Sequence, residues 1–356
     1  MAVKAYRWKP IAAAALSVAA SVFAPSAAAL ANVAPTASDY GVAPWTEAIV
    51  SVSDLEQSSQ WLVEDGGWRI VAKGAINRAE LDYWHLPASV SGAFLKICAP
   101  ETRAGCIRYV RFDGAKGQRP IRLAARPWDT GGIFSVMLRS DDTQALFDAA
   151  IARGWWAESQ PYAFSFAGSD LLNVVIRGPH GVNYALYQRN SPPFTGFRVG
   201  RLSQAFNTMR MVRDQPASVA WYRDRLGLKT LFDAPFTDPE PRANNFSVPA
   251  NLATKLVRRA AVVQPVLPGE DGRIELMQFE GFEGRDYAVH ASPPNLGIIS
   301  VRYSVRDLSA YTSFLKGNGV APVYADEGVA IAGTGTADIV AVRDPDGNLT
   351  EFYHVH

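Results

Sequence analysis

The sequence has almost no net charge and few residues that suit soft or borderline metal ions. Its 35 Lys and Arg residues nearly balance 34 Asp and Glu residues, so the formal charge at pH 7 is +1. This balance argues against nucleic acid as a partner, because proteins that bind phosphate backbones carry a clear positive excess. The chain has only two cysteines and five histidines. Beyond one stretch near the N-terminus, no segment is long and apolar enough to cross a bilayer.

The N-terminus has the pattern of a cleaved signal peptide. Lys4, Arg7 and Lys9 precede an apolar stretch over residues 11–24, and Ala29-Leu30-Ala31 fits a small-x-small cleavage site. We therefore expect residues 1–31 to be removed, residues 32–43 to form a flexible tether, and the mature protein to be periplasmic or secreted. Loss of the three basic residues changes the charge from +1 to −2. An uncleaved membrane anchor is the alternative.

The two cysteines flank a short loop between two apolar segments. Cys98 and Cys106 enclose residues 99–105, and an oxidising compartment favours a disulfide across such a hairpin. Two free thiols are the alternative. A zinc site is not expected here, since no second pair of ligands lies nearby in the sequence.

The C-terminus predicts a β-hairpin with an acidic residue on its outgoing strand. Asp344-Pro345-Asp346-Gly347 is a turn sequence, because Pro presets φ, Asp bonds its own backbone and Gly supplies a positive φ. Apolar residues 337–342 precede the turn and residues 349–355 follow it. Glu351 therefore lies at a fixed distance past the turn.

The chain repeats itself in four units. Asp54, Trp61 and Gly67 recur 160 positions later as Asp214, Trp221 and Gly227, and Asp142 and Gly154 recur 165 positions later as Asp307 and Gly319. Each acidic residue follows a strand pattern and precedes a helical one. The units span about 44–123, 131–190, 203–282 and 295–356, each predicted as a strand, a helix and two or three further strands.

We expect consecutive units to pair into two domains. About 325 mature residues are too many for a single ordinary core. The prediction is a first domain over 44–190, a linker over 191–202 that is rich in Pro and Gly, and a second domain over 203–356.

The turn sequence and its glutamate resemble the closing hairpin of a vicinal-oxygen-chelate module, the fold of glyoxalase I, extradiol dioxygenases and bleomycin-resistance proteins. The resemblance covers nearly the whole mature chain. It implies an α+β fold in which four βαβββ modules pair into two domains, with curled mixed sheets and helices outside. Ferredoxin-like units without a functional cleft are the alternative, since their order of elements is similar.

The resemblance also implies which positions hold metal ligands in this superfamily. In the second domain they are Asn207, Glu275, Ser300 and Glu351, and in the first domain Glu47, Arg108, Ser135 and Ala185. The second set offers only oxygen, so Mg²⁺, Mn²⁺ or Ca²⁺ is expected there rather than zinc, or no metal at all. The first set includes an arginine, which repels a cation, and that cavity is predicted not to bind metal.

The predicted function depends on Glu275 and Glu351 facing one cavity. Like-charge repulsion and burial would then raise a pKa and allow acid/base chemistry next to a carbonyl, as in isomerases and lyases. Asn207 and Ser300 are the candidate substrate-binding residues, for a small carbonyl- or oxygen-rich molecule. A salt bridge from one glutamate to Arg210 or Arg302 would leave the site silent.

Two further hypotheses remain open from the sequence. The chain is either such an enzyme or, like bleomycin-resistance members, a binding protein without turnover. If the first domain is only a scaffold, residues 200–356 alone should retain ligand binding. A monomer is allowed, since four units on one chain already supply two pairs.

Overall fold

The structure, a computed structural model, describes residues 34–166, 168–195, 199–266 and 271–356. Pro35–His356 form one compact unit. The predicted signal peptide, residues 1–31, lies outside the described residues. Within the part of the chain that the structure covers, no helix has the length and apolar character needed to span a membrane.

The helices and strands follow the predicted four units. The first contains β1 (Val42–Ser51), α1 (Leu55–Gln60), β2 (Arg69–Ala75), α2 (Arg78–Tyr83), β3 (Ser91–Cys98) and β4 (Cys106–Asp113). The second contains β5 (Ser135–Ser140), α3 (Thr143–Ala152), β6 (Trp156–Ala157), β7 (Tyr162–Phe166), β8 (Ser169–Arg177) and β9 (Asn183–Ser191).

The third and fourth units have the same plan. The third contains β10 (Leu202–Met211), α4 (Gln215–Ala220), β11 (Lys229–Phe236), α5 (Ala250–Ala253), β12 (Arg258–Gln264) and β13 (Arg273–Phe279). The fourth contains β14 (Gly297–Val305), α6 (Leu308–Gly317), β15 (Tyr324–Ile331), β16 (Gly335–Arg343) and β17 (Leu349–Val355). One π-helical turn extends α1 over Trp61–Asp65 and another extends α4 over Trp221–Arg225.

All four predicted helix-start acids cap the first helix of their unit. The carboxylates of Asp54, Asp142, Asp214 and Asp307 each accept a hydrogen bond from the backbone N–H three residues on, at 2.9 to 3.0 Å. This bond satisfies one of the N–H groups that a helix N-terminus leaves without an internal partner. The repeat read from the sequence is therefore a repeat of local structure.

Two curled mixed sheets make up the fold. The first sheet has the order β15-β16-β17-β14-β1-β4-β3-β2, and the second has the order β11-β12-β13-β10-β5-β9-β8-β6 with β7 paired to β8. In each sheet the first strands of two units lie side by side and antiparallel, β1 with β14 and β5 with β10. The predicted α+β class and paired modules are confirmed.

The predicted pairing of consecutive units is wrong. The first sheet joins units one and four, and the second joins units two and three. The boundaries 44–190 and 203–356 therefore do not delimit the two sheets. The physical reason is that each first strand has one free edge, and a repeated strand pattern does not specify which other unit will pair with it.

The two sheets also share one hydrophobic core. The Nε1–H of Trp61 donates to the carbonyl of Leu146 at 3.1 Å, which joins the first unit to the second. The Tyr311 hydroxyl donates to the Leu226 carbonyl at 2.8 Å, which joins the fourth unit to the third. One buried cluster accordingly contains residues of both sheets and of their helices. Each sheet keeps a separate apolar cluster on its other face.

The described part of the predicted tether is packed rather than flexible. Ala37–Tyr40 form a 3-10 helix, and β1 already begins at Val42. The Ala37 N–H donates to the Gly227 carbonyl at 2.9 Å, and the ring of Tyr40 lies 5.2 Å from that of Phe314. These contacts bury apolar surface that the composition of residues 32–43 did not reveal.

The Cys98–Cys106 disulfide is present, with an Sγ–Sγ distance of 1.98 Å, so that prediction is confirmed. It closes the β3–β4 hairpin. The C-terminal hairpin is also as predicted, and Gly347 has a φ of +80°. The Asp344 carboxylate accepts from the backbone N–H of Asp346 and of Asn348, at 3.0 and 2.8 Å. The residues of the turn sequence thus stabilise the hairpin through these local hydrogen bonds.

Candidate functional site

The structure separates the two glutamates that were predicted to share a cavity. Glu351 is on β17 of the first sheet, and Glu275 is on β13 of the second. The predicted convergence is therefore wrong, because the units that carry them pair with other units. Asn207 donates a hydrogen bond to Glu275, and Ser300 donates one to Glu351.

The concave side of the first sheet is occupied by a buried arginine. The Arg302 Nε donates to Glu351 at 2.7 Å, and its Nη1 donates to Glu80 at 3.0 Å and to Glu47 at 3.3 Å. Arg108 holds the other oxygen of Glu80 at 2.9 Å. All five side chains are at most 2% exposed. Burial disfavours the guanidinium charge, but the three carboxylates raise the pKa of Arg302 well above its ordinary value.

The remaining contacts complete this network. Glu351 accepts from the Trp84 Nε1–H at 2.9 Å and from the Ser300 hydroxyl at 3.1 Å. Lys96 pairs with Glu47 at 2.9 Å. Burial alone would raise the pKa of Glu47, but Lys96, Arg108 and Arg302 together lower it to about 2. Three carboxylates thus meet three cations, and neither Glu351 nor Ser300 is open to a ligand.

The sequence contained part of this result. It named Arg302 as one possible salt-bridge partner and Arg108 as a residue that repels a cation. It missed Glu80, which lies in α2, and Trp84, which directly follows α2, because none of the repeated residues falls in the connection between β2 and β3. Arg210, the other arginine considered, pairs instead with Asp344 at 3.3 Å.

The first-sheet cavity does not fit a metal ion. Its carboxylates already point at guanidinium and ammonium groups, and the Arg302 guanidinium lies among the family's ligand positions. Among the described residues, no group of three His, Cys, Asp or Glu side chains is arranged to hold a metal. The side chains of this cavity therefore form a closed ion-pair network and leave no carboxylate for a metal ion.

The second sheet has the same frame with different side chains. In the register of the strands, Asn207 lies opposite Met137, and Met137 lies beside Ala185. These positions correspond to Glu47, Arg302 and Glu351 in the first sheet. The cation and one carboxylate of the first sheet are therefore replaced by two apolar side chains, which leave Glu275 without a charged partner of this kind.

Glu275 is the acidic group on the floor of the second-sheet cavity. Its Oε2 accepts from the Asn207 side-chain amide at 3.3 Å, and no lysine or arginine forms an ion pair with it in the described part of the chain. Burial raises its pKa to about 7, against smaller opposing effects of Asn207 and Arg273. Glu275 is only partly buried, and it lines the cleft. Such a group exchanges a proton readily near neutral pH.

The cavity is an open cleft of about 540 Å³, a size that suits a small molecule. Its walls are largely apolar and aromatic, and they include Phe206, Phe232, Phe236, Phe246 and Met277. The rings of Phe166 and Phe232 lie 5.2 Å apart and bring β7 close to β11. The segment between β11 and β12 supplies further lining residues. The cleft is therefore shielded from solvent on several sides but accessible.

Tyr187 is a site residue that the sequence did not indicate. It lies in the cleft lining with Glu275, at a strand position beside Arg139. Burial and the charge of Glu275 raise the pKa of Tyr187 well above its ordinary value. The hydroxyl stays protonated and can donate a hydrogen bond to a bound oxygen. No pattern in the sequence distinguishes this tyrosine from the others.

The second cavity does not complete the ligand set of a metal ion either. Asn207 is only 3% exposed, and its Oδ1 has no hydrogen-bond partner among the described residues. Of the family's ligand positions in this sheet, Asn207 and Glu275 line the cleft, whereas Ser135 and Ala185 are buried and are not among its lining residues. Hard divalent ions take six or more oxygen ligands and seldom rely on so few from the protein.

The comparisons with known proteins agree with the fold. Residues 205–352 match the model of the Glyoxalase/Bleomycin resistance protein/Dioxygenase superfamily. No curated protein matches the chain in sequence.

Solved structures resemble almost the whole chain. Glyoxalase I from Zea mays aligns with a TM-score of 0.57 and 15% identity, over 87% of this chain and 92% of that one. A putative dioxygenase from Bacillus subtilis aligns with a TM-score of 0.51 and 10% identity, over 87% and 84%. The resemblance to the vicinal-oxygen-chelate superfamily is confirmed, and at these identities the structural likeness concerns the fold alone.

Proposed function

We propose that this chain, with its glyoxalase-like fold, transfers a proton on a small carbonyl compound in the second-sheet cleft. One observation carries the proposal. Glu275 has a carboxyl group with a pKa of about 7, lines a ligand-sized apolar cleft, and forms no ion pair with a lysine or arginine among the described residues. Glu351, in contrast, uses both of its oxygens within a closed network.

The chemistry needs one base and one hydrogen-bond donor. Glu275 takes a proton from the carbon next to the carbonyl, and the bonding electrons move onto the carbonyl oxygen as an enolate. The Tyr187 hydroxyl donates a hydrogen bond to that oxygen. Asn207 holds the carboxylate through its amide. Return of the proton to a neighbouring carbon gives an isomerase, and loss of a leaving group gives a lyase.

A test of the base uses a neutral methyl ketone that carries a phenyl group, 4-phenylbutan-2-one. When the ketone is incubated with the full chain in D₂O, the ketone protons next to the carbonyl should exchange for deuterium. The loss of their signals is followed by ¹H NMR. The Glu275→Gln variant keeps the shape of the side chain and should slow the exchange by about 100-fold or more. Glu280→Gln is the matched control, because Glu280 pairs with Arg259 outside the cleft. Exchange that is unchanged in Glu275→Gln would remove the proposal.

Ligand binding without turnover is the second candidate. The aromatic walls of the cleft support it, because they supply a binding surface without a second acid/base carboxylate. In that case the ketone binds, its NMR signals broaden or shift, and no deuterium enters it. The same experiment separates the two candidates.

We also propose that the protein is exported. The signal-like residues 1–31 and the Cys98–Cys106 disulfide support export, since disulfides persist in oxidising compartments. Expression of the full chain in a bacterial host should release a mature protein beginning at Asn32 into the periplasm or medium, as read by N-terminal sequencing. An uncleaved cytoplasmic product would contradict export.

A further inference from the structure

We infer that Arg242, Arg258 and Asp238 form a carboxylate-binding subsite at one end of the second-sheet cleft. The preferred ligand is then an elongated, largely apolar monoanion with a carbonyl group at its other end. This inference deepens the proposed function, because it names the class of molecule on which Glu275 would act.

Arg258 is the central residue of this subsite. It is only 3% exposed, yet it lines the cleft. Its guanidinium lies 4.5 Å from the centre of the Phe236 ring, which fixes the plane of the group. The Arg258 Nη2 lies 2.8 Å from Asp238 Oδ2. A deeply buried guanidinium on the wall of an open cleft is costly unless its charge is balanced.

Among the described residues, the charges of this subsite do not balance. Arg242 reaches the same carboxylate, with its Nη2 3.7 Å from Asp238 Oδ1. Two guanidinium groups thus share one carboxylate, which leaves one positive charge without a carboxylate partner in the described ranges. In the first-sheet cavity, by comparison, three cations meet three carboxylates. The unbalanced positive charge therefore lies in the second-sheet cleft, which is open to a ligand.

Unused donor groups support the same interpretation. The Nε–H groups of Arg242 and Arg258 have no hydrogen-bond partner among the described residues. The Arg242 Nη1 donates to the Ala163 carbonyl at 3.0 Å, which ties the group to β7. A carboxylate is a planar acceptor that matches a guanidinium edge, and such charge-assisted bonds are stronger than neutral ones.

The position of the subsite sets the length of the ligand. In the β12–β13 register Val262 lies opposite Glu275, and Arg258 is four residues further along β12. Four residues of strand span about 13 Å. Between these points the cleft is lined by Phe236, Phe246 and Ala260. A ligand that reaches both ends needs an apolar body of roughly that length, such as an aryl ring with a short alkyl chain.

Calorimetry with a matched pair of ligands tests this inference. The acid 4-(4-acetylphenyl)butanoate carries a ketone at one end and a carboxylate at the other, and its primary amide differs only in charge. The full chain should bind the acid at least about 10-fold more tightly than the amide. Arg242→Gln should remove most of this preference and leave amide binding nearly unchanged. Arg258→Lys, which keeps the charge but loses the planar fork, should weaken acid binding to a lesser degree.

Arg259→Gln is the matched control. Arg259 is adjacent in sequence but pairs with Glu280 and is not part of the cleft lining. This variant should keep the full preference, and circular dichroism should show that all variants are folded. Equal binding of acid and amide, no binding of either ligand, or an undiminished preference in folded Arg242→Gln would overturn the inference.

The Glu275→Gln variant separates this inference from the proposed function. It should keep the preference for the acid, because the anion binds at the other end of the cleft. If the deuterium exchange of the neutral ketone fails while the acid preference is present, the subsite stands and only the proton-transfer proposal falls. If exchange succeeds without an acid preference, the reverse holds.

Discussion

At the scale of single residues, the fate of a carboxylate depends on the side chain opposite it. Glu351 lies beside Arg302 in the β14–β17 register and forms an ion pair with it. In the second sheet the position of Arg302 is held by Met137, and Glu275 keeps a raised pKa. The sequence could place both glutamates on their strands. It could not show which of them meets an arginine, because that depends on the pairing of units distant in the chain.

The raised pKa of Glu275 predicts a specific dependence of stability on pH. Its pKa is about 7 in the folded chain and 4.5 ordinarily, so the folded state binds this proton more tightly. The contribution is therefore fully favourable below pH 4.5 and is lost as the pH rises through 7. Relative to Glu275→Gln, the wild-type chain should lose up to about 3 kcal/mol between these limits. Urea unfolding at pH 4.5, 6 and 8 measures the difference. A constant difference would contradict the raised pKa.

Met137→Arg should give the second-sheet cleft an ion pair like the one that fills the first-sheet cavity. An arginine at this strand position is expected to pair with Glu275, as Arg302 pairs with Glu351. The pKa of Glu275 should then fall below its ordinary value, and binding of the acetylphenyl ligands should weaken by about 10-fold or more. NMR titration of the glutamate carboxyl carbons and calorimetry check both effects. Met137→Leu is the control, and it should change neither.

At the scale of secondary-structure elements, local chemistry was largely predictable. The four helix-start acids, the C-terminal hairpin and the disulfide hairpin are all as the sequence indicated. What local patterns did not reveal is the role of the connections. The connection that contains α2 carries Glu80 and Trp84 into the first cavity, whereas the segment between β11 and β12 borders an open cleft. These segments have little periodic pattern, so their packing is set by the cavity they meet.

The β3–β4 hairpin offers a prediction at this scale. Its disulfide closes a short loop and holds two strands of the first sheet. Replacing both cysteines by alanine should lower the free energy of unfolding by about 2–3 kcal/mol, because the unfolded chain regains the freedom of the loop. Denaturation under oxidising and reducing conditions measures this loss. If reduction of the wild-type chain caused no loss, the bridge would have no stabilising role.

At the scale of the whole molecule, the sequence predicted the architecture but not the connection of its parts. Length and repeats gave four units and two sheets, and the resemblance gave their form. The pairing of units one with four and two with three could not be read, because all first strands present equivalent edges. This pairing also changes the role of the first half. Units one and two each supply half of a sheet and are not a separate scaffold.

The fragment 200–356 should consequently not fold as a domain. It contains only half of each sheet, and without residues 35–199 the shared hydrophobic core is exposed to solvent. We expect it to lack cooperative thermal unfolding and near-ultraviolet circular dichroism, and to bind none of the acetylphenyl ligands. A cooperatively folded fragment with the affinity of the full chain would instead support the domain boundaries expected from the sequence.

A crystal structure of the full chain with 4-(4-acetylphenyl)butanoate would show whether the second-sheet cleft, and not the first-sheet cavity, is the ligand site. We expect the ligand in the second-sheet cleft, with its ketone beside Glu275 and its carboxylate at Arg242 and Arg258. Arg302 should remain paired with its three glutamates in the first sheet. A ligand or metal ion held by Glu351 in the first-sheet cavity, with the Arg302 network opened, would contradict it.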